Sequence, residues 1–244
     1  MLRCDHKPCA TLVARCETAE RRSLRFRRLP SDPRRLQLPA VQANVYVDGF
    51  NLYYTALKGT PYKWLDLRKL SRFLLPHDRI HRIRYFTALI NAPRDQPKLQ
   101  RQQTYIRALK TLPRLSVHYG SCRTDVESLP VSYSTQGRRE YVITMEEKGS
   151  DVNLASLLLA DGFRGDYEVA VVISNDSDLV LPIRIVKTQL RLPVGLLKPD
   201  KRFVVELVHA ATFHKPIREG VLAASQFPPQ LTDAHGTITK PSGW

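Results

Sequence analysis

The chain is poor in the residues that build several common kinds of site. Four cysteines in 244 residues are too few for a disulfide framework. Cys4, Cys9 and Cys16 crowd an arginine-rich leader, and Cys122 stands far from them. Cys4 and Cys9, with His6 between, do not match zinc-ligand spacing. A reducing cytoplasm is the expected compartment. No stretch reaches the roughly 18 apolar residues of a membrane span. The segment MLRCDHKPCATLVARCETAERR is basic and lacks the apolar core of a signal peptide, so none is expected. There is no GxGxxG, no Walker loop, no GxSxG and no HExxH. Nucleotide-cofactor, P-loop, serine-hydrolase and zincin chemistries therefore have no support. His77, His81, His118, His209 and His214 show no ligand spacing and read as ordinary histidines.

Acidic residues are also scarce relative to basic ones, 23 against 38, which leaves a formal net charge of +15. The leader, residues 1–42, holds ten basic and four acidic residues; the rest holds 28 and 19. The excess thus belongs to the body as well as the leader. A basic protein attracts polyanions, and nucleic acid is the usual one.

The leader carries Arg21-Arg22, Arg27-Arg28 and Arg34-Arg35, is broken by Pro30, Pro33 and Pro39, and shows little apolar periodicity. It reads as disordered, either a basic arm or a dispensable extension. A single domain is expected over residues 43–215. NVYV before Asp48-Gly49 is a strand meeting a turn signal. Helices are expected over 66–75, 97–112, 151–163, 178–190 and 202–213. Further strands are expected over 83–90, 115–120, 167–174 and 192–197, with a hairpin turning at Gln136-Gly137. Ser150 is the expected cap of helix 151–163. VAVVI is continuously apolar, as in a parallel strand covered on both faces. The alternation predicts an α/β fold with a mostly parallel sheet of about five strands and helices on both faces. Residues 216–244, rich in proline, glycine and threonine, are expected to be an irregular tail.

The stretch SNDSD follows VAVVI and puts Asp176 and Asp178 just beyond a buried strand. Sites in open α/β sheets form beyond the carboxyl ends of strands. Asp48 ends the first strand, and Asp151 opens the helix leading into VAVVI. Two carboxylates about 4 Å apart repel by about 4 kcal/mol at a dielectric near 20. Several together need protons or a cation. Oxygen donors of this kind suit Mg²⁺ or Mn²⁺, which activate water and stabilise the leaving oxygen of a phosphodiester. The structural alternative is that these acids are turn formers and helix caps.

At these segments the sequence resembles a known family. VYVDGFNLYY (45–54), EEKGSDVNLASLLLADGF (146–163) and VAVVISNDSDLVLPIRIV (169–186) are similar to three blocks of bacterial NYN-domain proteins, within the PIN-like ribonuclease superfamily. The resemblance covers about residues 44–213 and implies a Rossmann-like sheet, a Mg²⁺ or Mn²⁺ site and endoribonuclease activity. It implies metal-binding roles for Asp48, Asp151, Asp176 and Asp178, and a companion role for Asn51. Ser174 and Asn175 match the small and polar positions of the last block, and Asn153 matches a substrate or metal-water contact. Many relatives carry another acid six residues after the Asp of the KG-x-D block, where this chain has Leu157.

The leading expectation is a metal-dependent endoribonuclease. Lys148, Lys98, Arg101, Arg107 and Lys110 would grip RNA, and Tyr105 would offer a stacking surface. For helix 97–112 the alternative is a solvated charged face. Two other readings stay open: an RNA-binding or regulatory module without catalysis, and a phosphohydrolase of small substrates.

Overall fold

The computed structural model describes residues 40–90, 95–130, 139–199 and 204–244. Residues 1–39 of the leader and the turn at Gln136-Gly137 lie outside these residues, and Gln42, expected to belong to the leader, is the first residue of the first strand. The first strand, β1 (Gln42–Asp48), runs into a short helix α1 (Gly49–Leu52) that continues as a wider turn to Leu57. Then follow α2 (Leu67–Leu74), β2 (Arg79–Thr87), α3 (Gln96–Lys110) and β3 (Leu115–Tyr119). A hairpin of β4 (Ser121–Pro130) and β5 (Arg139–Lys148) leads to α4 (Ser150–Phe163) and β6 (Val169–Ile173). A 3-10 turn, Ser177–Leu179, opens α5 (Val180–Thr188), followed by β7 (Val194–Lys198), α6 (Val205–Ala210) and β8 (Phe213–Pro216). The last elements are α7 (Glu219–Ala224), β9 (Gln230–Asp233) and β10 (Gly236–Thr239).

The central sheet has six strands in the order β3-β2-β1-β6-β7-β8, and every pairing is parallel. The chain adds strands outward from β1 in one direction, then resumes on its other side with β6. The order reverses between β1 and β6, which makes that crevice the topological switch point. Both strands are buried on both faces, and their alternating side chains feed two cores. Val45, Val47, Val171 and Ile173 pack toward α2 and α3, with Leu67, Leu70, Tyr105 and Leu109. Tyr46, Ala170 and Val172 pack toward α4, α5 and α6, with Leu154, Leu158, Ile183 and Leu207. Fully burying one such leucine contributes about 1.5–3 kcal/mol.

The hairpin explains how α4 starts on the correct edge. The chain leaves β3 at Gly120 and returns at Lys148, which pairs with Ser121. A Cβ at Gly120 would lie 2.6 Å from the Lys148 carbonyl, so the two ends of the excursion touch there. The start of α4 therefore sits at the carboxyl end of the sheet. Its other end is fixed by a buried ion pair. Asp161 accepts from Arg84 Nε at 2.7 Å, from an Arg84 Nη at 2.8 Å and from the Tyr46 hydroxyl at 2.8 Å.

Two expectations fail at the C-terminal side. The helix expected to reach residue 213 stops at Ala210, and Phe213–Pro216 form the sixth strand against β7. Residues 216–244 are not an irregular tail. They form α7 and the β9–β10 ribbon, and they bury Leu222, Phe227 and Ile238 in the first core. The Trp64 indole donates to the Pro228 carbonyl at 2.8 Å, and Arg107 grips Asp233 at 2.7 and 2.6 Å. These partners lie more than 120 residues away in sequence, so no local pattern reveals them.

Candidate metal centre

Asp48 closes β1, the most central strand on its side of the switch. It is 4% exposed, so its charge has little water around it. One carboxylate oxygen accepts from the Asn51 backbone N–H at 2.9 Å and the other from the Ser174 hydroxyl at 2.9 Å. The first contact caps α1 and the second ties β1 to the end of β6. Gly49 follows because nothing larger fits: a Cβ there would lie 2.5 Å from the Tyr85 ring and 2.7 Å from the Phe86 carbonyl.

The loop after β6 is held by the same few groups. Asn51 Oδ1 accepts from the Asn175 N–H at 3.0 Å, so Asn51 clamps the two strand ends together. The Ser174 hydroxyl accepts from the Asp176 N–H at 3.1 Å, and Asp176 Oδ1 accepts from the Asp178 N–H at 3.0 Å. Asp176 caps the 3-10 turn in this way.

Asp151 arrives from α4. Gly149, not Ser150, occupies the cap position, with φ of 89°. The residue that supplies the capping carboxylate is Glu147, whose Oε1 accepts from the Ser150 N–H at 3.0 Å. Asn153 donates its side-chain amide to the Tyr119 carbonyl at 3.3 Å, joining α4 to the end of β3.

One carboxylate oxygen from each of Asp48, Asp151 and Asp176 lies within 4.8 Å of the other two. Their hydrogen-bond donors named above are neutral amides and hydroxyls. Burial pushes Asp48 up to about 6, against the pull of Asn51 and Ser174, with repulsion from Asp151 and Asp176 adding to it. Asp151 also stands at about 6, raised by burial and then by the charges of Asp176, Glu147 and Asp178. Three hard oxygen donors that repel one another fit a divalent cation such as Mg²⁺ or Mn²⁺.

The remaining expected site residues divide. Asp178 is exposed and stands outside the three-acid group. Lys148 is exposed at the end of β5, three residues before Asp151. Lys98 and Arg101 line a cleft beside Gly49 and Thr87. Tyr105 is not an exposed stacking surface: it is 7% exposed, and its hydroxyl donates to the Leu65 carbonyl at 2.9 Å. Arg107 is committed to Asp233, and Lys110 lies over the Tyr119 ring at 5.7 Å. Leu157 packs against the second core rather than leaving a gap. Glu147 and Tyr85 were missed by sequence reasoning. Glu147 had a readable signal, an acid three residues before a helix start; Tyr85 had none.

Comparison with other proteins places this geometry in context. One curated relative is the 6-hydroxy-3-succinoylpyridine 3-monooxygenase of Pseudomonas putida, 29% identical over 243 aligned residues that span 86% of this chain and 78% of the relative. A crystal structure of a protein of unknown function from Vibrio parahaemolyticus matches with a TM-score of 0.49 and 14% identity, covering 74% of this chain and 94% of that one. The family model of the NYN domain matches residues 42–217, from the first residue of β1 to just past β8. The chain belongs to the NYN-domain family.

Proposed function

We propose that this protein is a metal-dependent endoribonuclease. The observation that carries the proposal is the convergence of Asp48, Asp151 and Asp176 at the switch point of a parallel sheet. These three acids would hold the cation. A bound Mg²⁺ or Mn²⁺ supplies water activation and charge stabilisation at the phosphodiester. The chain's own residues set the stage for it. Ser174 and the Asn51 N–H fix both oxygens of Asp48. Asn51 locks the loop that carries Asp176. Asp178, exposed at the edge of the cluster, orients water. Lys98, Arg101 and Lys148 supply positive charge for the RNA backbone.

The test is cleavage of a pool of labelled RNAs by purified protein with Mg²⁺ or Mn²⁺, beside EDTA and Asp176→Asn controls. The proposal expects products that vanish in both controls. Salt-dependent RNA binding without product would move the reading to a binding module.

A second reading has one observation in its favour, the 29% identity to a 6-hydroxy-3-succinoylpyridine 3-monooxygenase. It would make this chain an oxygenase of a hydroxylated pyridine acid. Dioxygen consumption driven by such a compound in the presence of a two-electron reductant, with RNA left intact, would support it over the first.

A further inference from the structure

Beside the acid cluster the structure holds an aromatic cleft that the cation chemistry does not use. It begins at Gly49, the residue after Asp48, and encloses about 80 Å³, the space of several waters or one planar ring. Tyr85 and Tyr105 form its floor, their rings edge to face with centroids 6.3 Å apart. Phe50, Tyr53, Tyr54 and Trp244 line its sides. Phe50 and Tyr54 stack at 6.3 Å, and Trp244 leans on Tyr105 at 5.7 Å. The cleft adjoins the acids through Gly49, which lines it and directly follows Asp48.

The rim has the opposite character. Lys98, Arg101, Gln102 and Tyr105 fall on one stripe of α3, at helical spacings of three and four. Gln102 is occupied in holding the end of β2, with its amide on the Ala88 carbonyl at 2.8 Å and its oxygen on the Ile90 N–H at 2.9 Å. Lys98 and Arg101 bring two positive charges to the same opening, and Lys63 brings a third. A ring-sized aromatic space edged by cations, one residue from a carboxylate cluster, matches one ligand chemistry. That chemistry is a flat π-system joined to an anionic group, and at this position in a nuclease it is a nucleotide.

We infer that the cleft is a base-binding subsite: one nucleobase of the RNA enters it among the aromatic rings while Lys98 and Arg101 hold that nucleotide's phosphate. This rests on the ribonuclease reading and deepens it, because the subsite positions one nucleotide beside the cut. Base–aromatic stacking contributes about 1–3 kcal/mol per base.

Both tryptophans of the chain stand at the cleft, Trp64 behind Trp244 with ring centroids 6.3 Å apart. Intrinsic fluorescence therefore reports directly on its occupancy. The experiment titrates the full chain in EDTA with AMP, UMP, CMP and GMP, with inorganic phosphate and benzoate as separate arms, and repeats the titration by calorimetry. Saturable quenching by at least one nucleotide is expected, with phosphate alone much weaker. In the Lys98→Ala, Arg101→Ala double variant the affinity should fall about tenfold or more, as for loss of charge-assisted contacts. Both side chains are partly buried and lie outside the two hydrophobic cores, so that variant keeps its core. No saturation by any nucleotide, phosphate binding as well as the nucleotides, or benzoate binding better than all of them would each overturn the inference. The metal-free titration needs no cleavage. Nucleotide binding by a protein that never cuts RNA would leave the subsite standing, and cutting without nucleotide binding would remove the subsite alone.

Discussion

At the scale of single residues, the cluster acids are costly until something neutralises them. Asp48 and Asp151 each stand at about 6 in the metal-free fold, against an ordinary value of 3.8. A group raised on folding contributes stability that is complete below its unfolded value and is lost as pH rises through its folded value. The metal-free protein should thus lose stability between about pH 4 and pH 7. At about 1.4 kcal/mol per pH unit, Asp48 alone accounts for roughly 3 kcal/mol of that loss. Added Mn²⁺ should restore it at pH 7.5 and have little effect at pH 4. Thermal melting with and without metal checks this; a metal-independent melting temperature at pH 7.5 would refute it. Gly49→Ala, whose Cβ would meet the Tyr85 ring and the Phe86 carbonyl, should cost about 1–3 kcal/mol in denaturant melts and weaken metal binding by displacing Asp48. Asp48, Asp151 and Asp176 were legible because each sits at an element end. Tyr105 was misjudged because an exposed and a buried tyrosine look alike in a helix that alternates basic and apolar residues.

At the scale of elements, α4 is the member that must be aimed. Its first turn carries Asp151, and its last turn is bolted to the sheet by Asp161, Arg84 and Tyr46. Ten residues of helix separate the two acids, about 15 Å of rise. Asp161→Ala would leave Arg84, only 8% exposed, without its carboxylate. Removing one partner of a buried pair costs about 3–5 kcal/mol. Urea unfolding should show that loss, and cleavage should fall with it because Asp151 is no longer held in place. A loss under about 1 kcal/mol would contradict this role. The helix itself was readable from Leu154 and Leu158, but the ion pair was not, since Arg84 lies 77 residues away in a strand. The same limit hid β8. The expected helix 202–213 ends on Phe213, the first residue of that strand, and only the partner β7 draws Phe213–Pro216 into the sheet.

At the scale of the whole molecule, the C-terminal segment completes the first core. Phe227 is 6% exposed and packs on Trp64 with ring centroids 5.5 Å apart. Phe227→Ala should cost about 3–5 kcal/mol, measurable as a shift of the unfolding midpoint at unchanged slope. A neutral result would mean that the segment is an accessory to the fold. The parallel sheet and its switch point were predictable from strand–helix alternation. The packing of residues 216–244 was not, because prolines and glycines interrupt every local period while Leu222, Phe227 and Ile238 find their places only against distant helices.

In the proposed function, three acids from three separate elements would form one cation site that cuts RNA. The measurement that tests it most directly compares wild type with Asp48→Asn on the same labelled RNA pool in Mn²⁺, scoring binding and cleavage together. Cleavage should fall below detection in the variant while RNA binding stays within about twofold, since the phosphate-gripping charges are untouched. Equal cleavage by the folded variant would contradict the account.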